Sequence, residues 1–218
     1  MDARAIIASV TDKSDLTVYP SAHASSVVVV AHGAGAGQSS PWLVRMASGL
    51  AERGVTAATF DFGYMAAGRK FPDAPAVLET RWREIVDRAR ARFPSLPLFI
   101  GGKSMGGRIA SQIAAKGVDG VSGLVFFGYP LHPPGKPQQR RDAHLPAIVH
   151  PMLFIQGSSD TFGKADEIRA LLPSLQRAEL HEVDGGDHSL KVKGGAARQA
   201  AVTADVMDTV VTWMRSIV

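Results

Sequence analysis

Apolar residues along the chain follow two alternating rhythms: short unbroken runs, and longer stretches in which they return every third or fourth position. Val27-Val28-Val29-Val30-Ala31 is β-branched and free of polar residues, the pattern of a strand buried on both faces of a parallel sheet. Val55 to Phe60, Leu98 to Ile100, Val121 to Phe127, Met152 to Gln156 and Glu179 to Val183 also read as strands. Between them, Leu43, Met46 and Leu50 share a helix face that Gly54 ends, with Pro41 in the first turn and Ser39 or Ser40 able to cap it. Leu78, Trp82, Ile85 and Ala89 mark a helix from Ala74 to Phe93; Ile168, Leu171 and Leu172 mark another from Lys164 to Leu175. Val202, Val206, Val210 and Met214 recur every four residues in a last helix. Ile6 to Val10 and Leu16 to Tyr19 suit an antiparallel edge hairpin, and the proline-rich, basic stretch from Tyr129 to Pro151 predicts little regular structure.

Strands alternating with helices of this length predict βαβ units: an α/β fold with a mostly parallel central sheet and helices on both faces. With no repeat, linker or low-complexity tract, residues 1–218 are expected to form a single domain. In such sheets the working loops lie beyond the C-terminal ends of the strands. Composition adds little: the absence of cysteine excludes disulfides and a thiol nucleophile. A formal charge of +4 is carried by scattered residues. Arg81, Arg83, Arg88, Arg90 and Arg92 are interleaved with Glu79, Glu84 and Asp87, which reads as a solvated helix face rather than a nucleic-acid footprint. Met1 to Ile7 lacks the basic and apolar pattern of an export leader, and no segment has the length of a membrane span, so a cytoplasmic location, away from membranes, is expected.

Chemistry enters where Leu98-Phe99-Ile100 runs into Gly101-Gly102-Lys103-Ser104-Met105-Gly106-Gly107 and at once into a helical stretch. Strand, sharp turn and helix around Gly-x-Ser-x-Gly describe a nucleophile elbow, in which the serine stands exposed at a tight turn and the flanking glycines let strand and helix approach. A phosphate-binding loop would need a glycine where Pro97 stands. Alternatively, Ser104 merely caps the helix. Two further stretches decide between these readings: Gly157-Ser158-Ser159-Asp160 follows one strand, and Gly186-Asp187-His188 follows the last. Serine, acid and histidine in that order, each past a strand end, match the order of α/β-hydrolases. Ser104 is then the nucleophile, His188 its base, and Asp160 the carboxylate that orients the imidazole, with Asp184 and Asp187 as rivals for the acid. The Met105 amide at the helix start and the Ala34 amide in His32-Gly33-Ala34-Gly35 are the expected oxyanion donors. His32 is expected to hold that loop by hydrogen bonding.

With Gly128-Tyr129-Pro130-Leu131-His132-Pro133-Pro134-Gly135-Lys136-Pro137 added, these motifs resemble the α/β-hydrolase superfamily over nearly the whole chain, and within it the small bacterial serine hydrolases akin to dienelactone hydrolase. Dienelactone hydrolases proper use cysteine where Ser104 stands, so their substrate is not carried over. The resemblance implies an α/β-hydrolase fold with a minimal lid or none. The expected activity is hydrolysis of an ester or thioester through an acyl-enzyme, with no cofactor or metal and a small acyl compound as the partner. A hydrolase-shaped interaction module without turnover is the alternative. Gly33, Tyr64, Arg69, Lys103 and His132 are candidate substrate contacts, although Arg69 can instead pair with Asp61 or Asp73. Lys136, Arg140 and Arg141 stand where an anionic substrate or a partner could meet them.

Overall fold

The computed structural model describes residues 10–11 and 16–218. Among these, eight strands form one sheet: β1 (Val10–Thr11), β2 (Thr17–Tyr19), β3 (Ser26–Ala31), β4 (Val55–Thr59), β5 (Leu98–Lys103), β6 (Gly123–Phe127), β7 (Met152–Gly157) and β8 (Ala178–Val183). Their order is β1-β2-β4-β3-β5-β6-β7-β8. The run from β4 to β8 is parallel, and β1 and β2 join antiparallel at one edge. The expected edge hairpin is present in Val10↔Val18 and Thr11↔Thr17; residues 6–9 of its predicted first strand lie outside the described residues.

Side-chain alternation divides the core. Val27, Val29 and Ala31 face one layer with Ile100 and Phe126, while Val28 and Val30 face the other with Phe99 and Val125. The first layer is closed by α3 (Pro75–Arg92), α4 (Met105–Ala115) and α5 (Ala165–Leu171), and the second by α1 (Pro41–Ala51) and α6 (Gly195–Ile217). A short α2 (Gly63–Ala66) follows β4, where no helix is expected from the periodicity. Ser40 takes the N-cap position of α1 without a capping side-chain bond, and Pro41 follows it. The helix expected over Lys164 to Leu175 stops at Leu171 and continues as a 3-10 turn over Leu172–Ser174. Pro173 is the cause, since its ring and missing N–H end the i to i−4 ladder.

Topology reverses between β3 and β5: the chain leaves β3 for β4 on one side, then returns to β5 on the other. Loops leaving two such strands diverge and open a crevice at their C-terminal ends. Between β6 and β7 the only regular element among the described residues is a 3-10 turn over Leu145–Ala147. Tyr129, Leu131, Leu145 and Ile148 from this connection are buried in the core, so it forms a wall of the crevice, and no lid is present among the described residues. No helix among the described residues is long and apolar enough to cross a membrane.

Glycine at two positions lets β5 and α4 press against β3. A methyl group at Gly102 would lie 2.5 Å from the Ala31 carbonyl oxygen, and one at Gly106 would lie 2.6 Å from that of His32. The indole of buried Trp82, from α3, donates to the Gly106 carbonyl at 3.1 Å and ties the helix layer to the same point. Gly106→Ala is expected to cost about 1–3 kcal/mol through this backbone overlap, read as a lowered urea midpoint.

Candidate active site

Ser104 directly follows β5 with φ 50° and ψ −117°, one of two non-glycine residues with positive φ among those described. Such a conformation costs about 1–3 kcal/mol and persists only where the surroundings impose it. Here the Ser104 amide donates to the Phe127 carbonyl at 3.0 Å, and its carbonyl accepts from the Arg108 amide at 3.0 Å as α4 begins. Although Ser104 holds the N-cap position of α4, its hydroxyl makes no capping bond. Instead Oγ lies 2.8 Å from His188 Nε2. His188 Nδ1 in turn lies 2.8 Å from Asp160 Oδ2. A carboxylate only accepts, so Nδ1 carries the proton and Nε2 is left to accept from the serine hydroxyl.

Asp160 is 1% exposed, and a buried charge needs its oxygens satisfied. Oδ1 accepts from the Phe162 amide at 2.8 Å, and Oδ2 accepts from Gln156 Nε2 at 2.9 Å as well as from His188. Gln156, fully buried in β7, also donates to the carbonyls of Tyr129 and Gly163 and accepts from the Tyr129 amide at 2.7 Å. The Phe162 ring stacks on the His188 imidazole at 4.1 Å and 26°. Of the rival acids, Asp187 accepts from the amides of Ser189 and Lys191, and exposed Asp184 faces Arg198.

Across the crevice, the loop after β3 brings Gly33 and Ala34 beside Ser104. A methyl group on Gly33 would lie 3.6 Å from Ser104 Cβ, so the loop backbone passes close to the hydroxyl. His32 holds it: Nδ1 donates to the Gly33 carbonyl at 2.7 Å, and Nε2 accepts from the Phe62 amide at 3.2 Å. Asp61 Oδ1, 3.5 Å from Nε2, accepts from the Gln38 amide at 2.7 Å. With Nε2 already an acceptor, His32 is a neutral strut and no ion pair forms. Burial pushes its pKa below the ordinary value, against the Gly33 carbonyl and Asp61, which raise it. Met105 opens α4, where backbone N–H groups have no partner within the helix.

The other predicted contacts are distributed unevenly. Gly33 and Lys103 border the cleft of about 410 Å³ at Ser104. Half-buried Lys103 sends its ammonium to Ser189 Oγ at 2.9 Å and over the Trp42 ring at 5.2 Å. Trp42 also donates to the Ser189 carbonyl at 3.1 Å, so both side chains hold the residue that follows His188. Tyr64 does not reach the cleft: it is buried under the β3 loop, where its hydroxyl accepts from the Gly35 amide at 3.2 Å. His132 is also buried, between the Pro133 carbonyl and Glu167. Arg69 pairs with Asp73 at 2.7 Å rather than with Asp61, and only Asp73 borders the cleft.

Residues 24–215 match the model of the alpha/beta hydrolase domain. The chain belongs to that family. Solved structures agree on the fold. An α/β serine hydrolase without a lid from Xanthomonas campestris has a TM-score of 0.69 at 18% identity, over 91% of this chain and 89% of that one. A dienelactone hydrolase from Anabaena variabilis gives 0.68 at 20% identity, over 92% and 94%. The esterase domain of a Rhodothermus marinus protein gives 0.65 at 14% identity, over 92% of each.

Within this α/β-hydrolase frame, Gln156 and Phe162 are the site residues that the sequence pattern does not single out. Gln156 reads as one polar interruption at a strand end, and Phe162 as an apolar loop residue; their partners become visible only in three dimensions. Gln156→Leu should leave the Tyr129 amide and the Asp160 carboxylate short of a partner, at about 1–3 kcal/mol in urea denaturation.

The depressed His32 pKa also fixes a pH dependence. An unfolded histidine takes up its proton near pH 6.5, the folded one only at lower pH, so the contribution of neutral His32 is complete above about pH 6.5 and is lost below it. Half-buried His144, lowered chiefly by burial and then by Arg108, acts in the same direction. The urea midpoint should therefore fall below about pH 6.5, while NMR titration finds the His32 ring neutral there. An ordinary titration of His32 would contradict the assignment.

Proposed function

We propose that this protein is a serine hydrolase that cleaves an ester or thioester through an acyl-enzyme. The reading is carried by the unbroken chain from Ser104 Oγ to His188 Nε2 and from Nδ1 to Asp160 Oδ2, 2.8 Å at each link, at the edge of an open cleft. An interaction module has no need of a buried carboxylate aligned on an imidazole and a strained serine.

In this mechanism His188 removes the hydroxyl proton as Ser104 Oγ attacks the carbonyl carbon. The negative charge that develops on the carbonyl oxygen is received by the amides of Met105 and Ala34. Collapse of the tetrahedral intermediate breaks the bond to the alcohol or thiol, which leaves with the proton from His188 Nε2. Water then gives its proton to the same nitrogen and attacks the acyl-serine, releasing the acid and restoring Ser104. Asp160 stays ionised throughout and stabilises the imidazolium. No step calls on a cofactor. Fold neighbours named as an esterase domain and a dienelactone hydrolase are in keeping with this bond class.

A fluorophosphonate should label the wild-type protein at Ser104. Ser104→Ala should lose the label and at least about a thousandfold in kcat on p-nitrophenyl acetate. Equal labelling of both proteins would overturn the proposal.

A further inference from the structure

Two positive charges in the cleft have no ion-pair partner among the described residues. Arg108 lies one helical turn after Ser104 on α4, and Arg141 comes from the wall between β6 and β7, where its amide is held by the Leu131 carbonyl at 2.8 Å. Both border the cavity that Ser104 and His188 border. Arg108 Nε is buried and has no hydrogen-bond partner. Among the described residues neither guanidinium has an ion-pair partner, whereas nearby acids are taken: Asp73 by Arg69, Asp142 by Arg140, Glu79 by Lys116, and Glu167 by Arg140 and His132. Arg140, one of the three cations expected to meet an anion, is thus neutralised, and Arg141 beside it is not.

Burial lowers the Arg108 pKa, and the charge of Arg141 lowers it further, so the two guanidiniums are close enough to repel. An open cleft that keeps two like charges, one partly desolvated, is complementary to an anion with charge for both. A carboxylate brings one charge and two oxygens, which one guanidinium fork can occupy. A phosphate monoester brings nearly two charges and three strong acceptor oxygens at neutral pH, enough to bridge both.

We propose that the ester or thioester substrate carries a phosphate that docks between Arg108 and Arg141 while its carbonyl lies at Ser104. This rests on the serine hydrolase reading for the carbonyl, but not for the anion site itself. Phosphate affinity can be measured without turnover.

Calorimetry on the full chain, with inorganic phosphate and acetate at matched ionic strength, should show saturable binding of phosphate and much weaker binding of acetate. The same result should hold for Ser104→Ala, and phosphate affinity should fall about tenfold in Arg141→Gln. In kinetics, kcat/KM for 1-acetylglycerol 3-phosphate should exceed that for 1-acetylglycerol by about tenfold or more, and this ratio should approach one in Arg141→Gln. Arg108→Lys, which keeps the charge and loses the fork, should give an intermediate ratio. Fluorophosphonate labelling of Ser104 in each variant reports folding and the hydrolase reading separately. Equal binding of phosphate and acetate, or phosphate binding unaltered by Arg141→Gln, would overturn the anion site even if Ser104 is reactive. If Ser104 proves unreactive while phosphate binds as expected, the hydrolase reading fails and the anion site stands.

Discussion

Backbone pressed on backbone, where the end of β5 and the start of α4 meet the end of β3, is the contact on which the rest of the molecule depends. Gly102 and Gly106 leave no side chain between these elements, and the carbonyls of Ala31 and His32 fill the space. That approach fixes the sharp turn at Ser104, imposes its positive φ, and sets the Gly33–Ala34 loop beside the hydroxyl. Because the sheet order reverses between β3 and β5, the same contact lies at the floor of the crevice. The parts that must be closest for chemistry are therefore joined by the least compressible packing available, with Trp82 closing it from the helix layer.

A second constraint is electrical. Asp160 is a carboxylate in an interior that penalises charge, and it is tolerated because Gln156, the Phe162 amide and His188 supply its hydrogen bonds. The network that solvates the acid also aims the imidazole, so stability and orientation come from one set of contacts. On the other side of His188, Trp42 and Lys103 grip Ser189. His188 thus lies on a loop but is held from both flanks, which fixes its imidazole between Asp160 and Ser104.

The connection between β6 and β7 has a different character. Its apolar residues sink into the core, and its polar ones divide between satisfied pairs and the guanidinium of Arg141, which borders the cleft and has no ion pair among the described residues. With no lid among the described residues, recognition in such a cleft falls to fixed charges and to the shape of the walls. Uncompensated cations beside an otherwise orderly site are costly to stability, and that cost is intelligible if a ligand answers them.

Much of this was legible in residue order. The unbroken apolar run of Val27 to Ala31, helical spacing in Leu78 to Ala89, and the three loops carrying Ser104, Asp160 and His188 express local chemistry that the chain writes directly. Local pattern was less informative where a side chain works against a distant partner. Tyr64, Arg69 and His132 have residue types suited to a cleft, yet burial or ion pairing commits Tyr64 and His132 elsewhere and Arg69 to Asp73. Gln156 and Arg108 carry no such signal, though one supports the acid and the other faces the cavity. Hydrophobic period and glycine placement act over a few residues, so residue order already carries the alternation of elements, the sharp turn at Ser104 and the order of the three loops. Which acid meets His188, which polar residues are struts, and which cations lack an ion pair among the described residues depend on groups that the fold brings together from as far as 147 positions apart, and no local pattern encodes such a meeting.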